Sequence, residues 1–313
     1  MEFEFLEWLR TQTRPHPRLH VGPGDDAASL FMGRERDLVI TTDLLTDGVD
    51  FVLAECDPRR VGRKALAVNL SDLAAMAARP FAALVSVALP ARHAGPLARA
   101  IHEGILELAG RHDVALAGGD TNTWDGRLVI SVTALGEAPA RGVLRRDGAR
   151  PGDVLLATGD FGGSILGRHF DFEPRVREAS LLHRAYELHA GIDVSDGLSL
   201  DLSRVAHESH CGVVLSLPDI PINPAAVECA ETDKTGRSPL DHALTDGEDF
   251  ELLLAVPADS ATRIVRDQPL DVPVTRMGEF VEDPGLWALG SDGKRHPLPA
   301  RGWQHREWQE PDT

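Results

Sequence analysis

Five short acidic segments are spread along the 313-residue chain, each with Asp where a strand is expected to meet a turn. They are GPGDDAA at 22–28, ITTDLLTDG at 40–48, GGDTN at 118–122, GIDVSDGLSLDL at 191–202 and LTDGEDFEL at 244–252. A sixth carboxylate, Asp72, interrupts the otherwise apolar run AVNLSDLAAMAA. Loops at strand ends are where functional groups are usually presented. If these loops converge they form a pocket of carboxylates, and at ~4 Å two like charges repel by about 4 kcal/mol at an effective dielectric near 20. A divalent cation relieves such repulsion, and hard oxygen donors point to Mg2+.

Each segment taken alone carries two readings. In GIDVSDGLSLDL a strand ends at Asp193 and Ser195-Asp196-Gly197 opens a helix, where N–H groups favour anions. Ser195 or Asp196 there either caps the helix or offers oxygen to a metal and a nucleotide. Asp26 in GPGDDAA, and Thr41, Thr42 and Asp43 in TTDLLTDG, read singly as a solvated turn and a strand end before they read as ligands. In GGDTN, Gly118 and Gly119 leave the backbone bare for close ligand approach, and Asp120 sits where a strand emerges. Asp72 lies in an Ala/Leu helix beside Leu70 and Leu73, with a polar face through Asn69 and Ser71 as the competing explanation. There is no GxxxxGK[ST], and no GxGxxG follows a strand. The turn GDFGGS at 159–164 offers a phosphate contact but reads first as a tight turn, and no Ser-His-Asp or Cys-His pair stands out. Phosphate chemistry would therefore rest on metal ions, with Arg146 and Lys64 as candidate positive partners.

The elements that must position these loops alternate. Strands are expected at 38–42, 81–89, 114–117 and 128–135, with the GGDTN turn between the last two. Helices are expected at 59–78, behind an Asp57-Pro58 cap, and at 95–111, where Leu97, Ile101, Ile105 and Leu108 share one face. RRDGARPGD at 145–153 is polar and rich in Gly and Pro, as interdomain connections often are. Beyond it the pattern restarts, with strands at 154–158, 192–194, 213–217, 250–256, 274–280 and 286–289 and helices at 176–189, 198–209 and 260–267. The expectation is a two-domain α/β (α+β) protein with mixed sheets flanked by helices, divided at 1–145 and 146–313.

Composition narrows the partners. A formal charge of −17 argues against nonspecific nucleic-acid binding. Cys56, Cys211 and Cys229 are odd in number and lack CxxC spacing, which suits reduced thiols in a cytoplasm. The acidic N-terminus MEFEFLEWLR does not resemble a signal peptide, and no apolar run approaches the ~18 residues of a membrane span. A cytoplasmic protein with no membrane or nucleic-acid partner is expected.

In this order the motifs EFEFLEWL, GDDAA, TTDLLTDGV, KALAVNLSDLAAMAA, GGDT, RRDGARPGD, DVSDGLSLDL, GEDFEL and the terminal GWQH resemble the bacterial thiamine-monophosphate kinases of the aminoimidazole ribonucleotide synthetase-like superfamily. The resemblance runs over nearly the whole chain. It implies direct in-line transfer of the ATP γ-phosphoryl group onto thiamine phosphate, with several Mg2+ ions and no catalytic nucleophile. It further implies that Asp26, Thr41, Thr42, Asp43, Asp72, Asp120, Asp193 and Asp196 are metal ligands. Gly119, Asp120, Arg146, Ser195 and His112 would contact ATP, and Asp50, Glu248 and Trp303 the substrate, Trp303 through its aromatic face. A homodimer is implied, its N-terminal sheets forming a barrel-like interface. Three positions depart from the pattern: Asp50 for a usual His, His112 for a usual aromatic, and Thr245-Asp246 for a usual glycine pair. They motivate an alternative, a paralogous Mg-ATP phosphotransferase or synthetase with another acceptor; a non-catalytic nucleotide-binding scaffold is a third reading.

Overall fold

The computed structural model describes residues 17–21, 25–33, 36–290 and 292–304. The N-terminal EFEFLEWL motif, the Gly22-Pro23-Gly24 turn and Trp308 lie outside the described residues. In chain order the elements are β1 Leu19–Val21, β2 Ala28–Leu30, β3 Leu38–Thr46, α1 Pro58–Ala75, β4 Arg79–Pro90, α2 Ala94–Arg111, β5 Ala115–Trp124 and β6 Val129–Glu137. They continue with β7 Val154–Thr158, α3 Arg168–Asp171, α4 Val176–Ala185, β8 Ala190–Asp193, α5 Leu198–Glu208, β9 Gly212–Leu215, α6 Pro224–Thr232 and α7 Pro239–Thr245. β10 Leu252–Val256, α8 Ala258–Asp267, β11 Val274–Val281, β12 Gly285–Leu289 and β13 Arg295–Pro297 complete the chain.

Two mixed sheets result, as the alternation of elements implies. The first has the order β1-β2-β3-β6-β4-β5, and the second β13-β12-β9-β11-β7-β10-β8. Every pairing is antiparallel except β4 with β5 and β12 with β9. The long parallel crossover between β4 and β5 is the helix α2, which packs with α1 on one face of the first sheet. That face is apolar: Val39, Leu45, Val85, Val87, Ile130 and Val132 meet Leu66, Leu70, Leu73, Ile101 and Ile105.

α1 begins as the sequence indicates. The Asp57 side chain accepts from the Arg59 N–H and Pro58 takes the first helical position. Its length joins the two sheets. Leu66, Leu70 and Leu73 enter the core of the first sheet, while Ala74 and Ala75 pack with Leu182, Leu252 and Leu254 of the second half. The crossing of α1 and α2 is close because each presents a glycine: a Cβ on Gly62 would lie 1.9 Å from the Ile101 carbonyl oxygen, and one on Gly104 1.9 Å from that of Arg59.

Two expectations fail. GGDTN is no turn but the middle of β5, which runs to Trp124. Gly119 is required by the sheet itself, since a Cβ there would strike the Val85 carbonyl oxygen at 1.7 Å. Helices α3, α6 and α7 were not anticipated, although α6 and α7 each open on Pro at the first helical position behind a capping Asn223 or Ser238. We expect Gly62→Ala and Gly104→Ala each to destabilise the fold by about 1–3 kcal/mol through forced separation of the helices. A lowered denaturation midpoint with unchanged m-value checks this.

Candidate active site

α1 turns one face toward both sheets, and that face carries the chemistry. Lys64, Val68, Ser71 and Asp72 follow helical spacing along it. Ser71 Oγ donates to Asp193 Oδ2 at the end of β8, 2.5 Å away. Asp72 Oδ2 accepts from Thr41 Oγ1 of β3, also at 2.5 Å. Two neighbouring side chains of one helix thus clasp one strand from each sheet.

Around this clasp the carboxylates gather. One oxygen each from Asp26, Asp72 and Asp193 lie within 4.8 Å of one another, a spacing at which each pair repels by about 3–4 kcal/mol at an effective dielectric near 20. Asp43 Oδ2 is buried with no hydrogen-bond partner. The titration behaviour follows. Burial, then the charges of Asp43, Asp193 and Asp26, push the Asp72 carboxyl well above its usual range. Burial and Asp26 do the same to Asp193. Asp43 is raised to about 6, chiefly by burial. Asp25, preceding Asp26, is raised to about 7 by burial and by Asp26.

One cation opposes this charge. Arg146 grips Asp26 with both arms, Nε to Oδ2 at 2.9 Å and Nη2 to Oδ1 at 2.6 Å. Burial alone would lower its pKa, but Asp26 and Asp25 hold it above the ordinary arginine value.

The turn at Ser195, Asp196 and Gly197 resolves the open question of the cap. Neither Ser195 nor Asp196 caps α5. Instead Asp201, one turn into the helix, accepts from the Asp196 and Gly197 N–H groups at 2.9 and 3.1 Å. Burial and Asp196 raise Asp201 to about 7. The Asp196 carboxylate pairs with Arg204 at 2.6 Å, and its charge reaches Asp43. Asp201 and Arg204 were not singled out from sequence; an acid in the first turn of the helix was the available signal.

Asp43, Ser195 and Asp196 open onto a cavity of about 790 Å3, within the usual size of a small-molecule site. Glu248 and Trp303 line it beside that turn, their backbone N–H groups donating to the Ser195 and Asp196 carbonyl oxygens, each at 2.7 Å. Glu248 stands at φ 55°, after Gly247 at 75°, and pairs with the buried Lys64 ammonium. Lys64 also reaches the Asp50 carbonyl oxygen at 2.8 Å and His169 Nδ1 at 2.9 Å. Burial works to raise the Glu248 pKa, but His169 and Lys64 outweigh it and hold the carboxyl low. Lys64 is thus a buried partner of Glu248, not a surface cation. Trp303 is held through its N–H, which donates to the Asp196 carbonyl oxygen at 2.7 Å.

Several expected residues are placed elsewhere. Asp43, Val132, Val85 and Gly119 form one row across β3, β6, β4 and β5, while Leu44, Ser131, Ser86 and Asp120 form the next. Side chains alternate faces along a strand, so Asp120 is on the outer face, opposite Asp43 and about 14 Å along the row from β3 at ordinary strand spacing. Thr42 shares that outer face, its hydroxyl 3.0 Å from Thr133 Oγ1. His112 ends α2 and pairs with Glu173 at 2.9 Å, away from the cavity lining. Asp50 lines the cavity, but its Oδ2 accepts from the Thr46 N–H at 2.6 Å and so shapes the turn after β3. The N–H groups of Gly162 and Gly163 in GDFGGS are already taken by Asp249 and Asp246.

Buried acids from both halves of the chain stand beside a small-molecule cavity in a two-domain α/β protein. The family models for AIR synthase related protein match here, the N-terminal domain over residues 24–138 and the C-terminal domain over 150–288. Thiamine-monophosphate kinase of Rhodopirellula baltica is 46% identical over 98% of both chains. That of Caulobacter vibrioides is 36% identical over 97% of this chain and 90% of its own. The solved structure of AaThiL complexed with AMPPCP and TMP superposes with a TM-score of 0.83 at 26% identity, covering 97% of each chain. The chain belongs to the thiamine-monophosphate kinase family.

The raised carboxylates fix the sign of a pH effect. Unfolded, Asp25, Asp43 and Asp201 titrate near 3.8; folded, they reach about 7, 6 and 7. Between these values the folded protein holds protons that the unfolded chain has lost, so stability falls as pH rises from about 4 to about 7. Metal-free protein should show a falling Tm across that window. Asp43→Asn should raise the Tm at pH 8 by about 2–4 °C, as expected for relief worth about 1 kcal/mol.

Proposed function

We propose that the protein catalyses transfer of the γ-phosphoryl group of ATP to the phosphate of thiamine phosphate. The bond from the γ-phosphorus to its bridging oxygen breaks, a bond to an acceptor phosphate oxygen forms, and ADP and thiamine diphosphate leave. The convergence of Asp26, Asp43, Asp72 and Asp193 from both halves of the chain carries the reading.

This donor set fits Mg2+: all oxygen, close enough to share ions, and with a buried Asp43 oxygen lacking any partner. Asp26, Thr41, Asp43, Asp72, Asp193 and Asp196 would hold several ions, which when bound supply charge neutralisation for the phosphates. The protein's own part is positioning. Ser71 and Thr41 orient Asp193 and Asp72, Arg146 holds Asp26 until ligands compete for it, and Asp201 fixes the Ser195 turn so that its groups face the cavity. Glu248 and Trp303 offer a carboxylate and an aromatic face to the thiamine cation. Phosphoryl transfer needs no protein nucleophile when both phosphates are aligned and neutralised.

The departures near the acceptor weigh less than they do in sequence. Asp50 is spent on the Thr46 N–H, and Asp246 is paired with Arg237 and His242. Asp246 therefore adds no unpaired charge to the cavity, which favours thiamine phosphate over another acceptor.

The same reading includes a homodimer. β5 is an edge strand, and the outer face of its sheet exposes Leu44 and Leu84 at 62% and 41%. A second copy pairing there would close the two sheets into a barrel, with Thr42, Gly119 and Asp120 at that surface. We assign residues 1–145 to the dimerising and ATP-binding unit and 146–313 to the unit that completes the substrate site. Among the described residues no helix is long and apolar enough to cross a membrane, and a cytoplasmic location suits free Cys56, Cys211 and Cys229.

Product mass after incubation with ATP, Mg2+ and thiamine phosphate tests the activity; ADP and thiamine diphosphate are expected in equal amounts. Asp72→Asn should reduce kcat by about 10²–10³-fold, the cost of removing one group that stabilises charge at the reacting centre. Unaffected turnover would refute the assigned site. Leu84→Asp should shift the protein to monomer in light scattering.

A further inference from the structure

A second cluster of ligating side chains lines the cavity, and no metal role is given to it in the reading above. Cys229 of α6, His242 of α7 and Asp246 just beyond α7 each place one ligand atom within 4.8 Å of the other two. His242 and Asp246 are one helical turn apart, and α6 packs against α7. Cys229 and His242 are buried, at 7% and 2% exposure.

The histidine is set up as a ligand. Its Nδ1 lies 2.8 Å from Asp246 Oδ2, so a nitrogen and a carboxylate converge where a cation could join them. Its Nε2, on the opposite edge of the ring, is buried with no hydrogen-bond partner and has Asp233 Oδ2 at 3.5 Å, placed to orient a ligating ring through its other nitrogen. Converging donors of this kind gain from a cation between them. Arg237 partly fills that role from outside, donating to Asp233 Oδ2 at 3.0 Å and Asp246 Oδ1 at 2.9 Å.

We propose that Cys229, His242 through Nδ1, and Asp246 form a site for a borderline-soft divalent cation of the Zn2+ class, with Asp233 behind the histidine, distinct from the all-oxygen Asp cluster. Sulfur and imidazole donors select Zn2+ over Mg2+, whereas the Asp cluster has the reverse preference. Binding exchanges the thiol proton for the metal, the proton going to solvent, and displaces Arg237 from the carboxylates. Because Cys229, Asp233, His242 and Asp246 all line the cavity, a bound ion would brace the wall facing the acceptor. The site does not depend on the kinase assignment.

Co2+ titration of the full-length, metal-stripped protein in excess Mg2+ tests this, since the Mg2+ fills the oxygen cluster and a thiolate ligand gives Co2+ a distinct near-ultraviolet charge-transfer band. The band should appear, saturate at a single equivalent and disappear on adding Zn2+. Cys229→Ser should abolish it. His242→Gln, which leaves the thiol in place, should weaken Co2+ affinity by at least about tenfold, and Asp246→Asn by about 10–100-fold. No band in the wild-type protein, a band surviving Cys229→Ser, or wild-type affinity in His242→Gln would each overturn the proposal.

Discussion

Mutual repulsion among buried carboxylates is the constraint around which this molecule is arranged. Asp26, Asp72 and Asp193 come from a loop, a helix and a strand that are far apart in sequence, yet their oxygens sit within 4.8 Å. Apolar packing drives them there: Leu66, Leu70 and Leu73 on one side of α1, and Ala74 and Ala75 at its end, are fully buried against two different sheets. The helix cannot satisfy both contacts without carrying Asp72 into the cluster. The hydrophobic effect, which contributes about 1.5–3 kcal/mol for each such buried side chain, thus offsets an electrostatic strain of similar size per pair.

That strain is stored in a usable form. Arg146 compensates part of it at Asp26, and protonation of Asp25, Asp43 and Asp201 removes more below about pH 6–7. On the proposed reading, a cation among the acids at neutral pH would recover what the fold gave up, so cation affinity and instability without cations would share one origin. The Glu248 side of the cavity has the opposite logic. Lys64, His169 and Glu248 neutralise one another within the protein, leaving a shaped and oriented carboxylate rather than a bare one.

Much of this was legible in the sequence. An aspartate inside an Ala/Leu helix, an Asp-Pro helix start, and apolar strands ending in Asp located the two halves and most of the cluster. What failed depended on long-range geometry. Asp120 is misplaced because GGDTN, with two glycines, reads as a turn, and the face on which a strand residue falls is set by register with its neighbour. Here a bulge between Ala83 and Leu84 sets that register. The Lys64–Glu248 pair spans 184 residues and leaves no local pattern. The Asp201 clamp did have a local signature, as did the Ser238-Pro239 start of α7 with its capping box, but both were masked by nearby residues with stronger apparent roles.

The central claim is that the gathered acids cannot accept a triphosphate until cations join them. Calorimetric titration of the protein with ATP, in excess Mg2+ and in chelator, measures this directly. The account predicts saturable ATP binding with Mg2+ and none detectable in chelator. Equal affinity in both would contradict it.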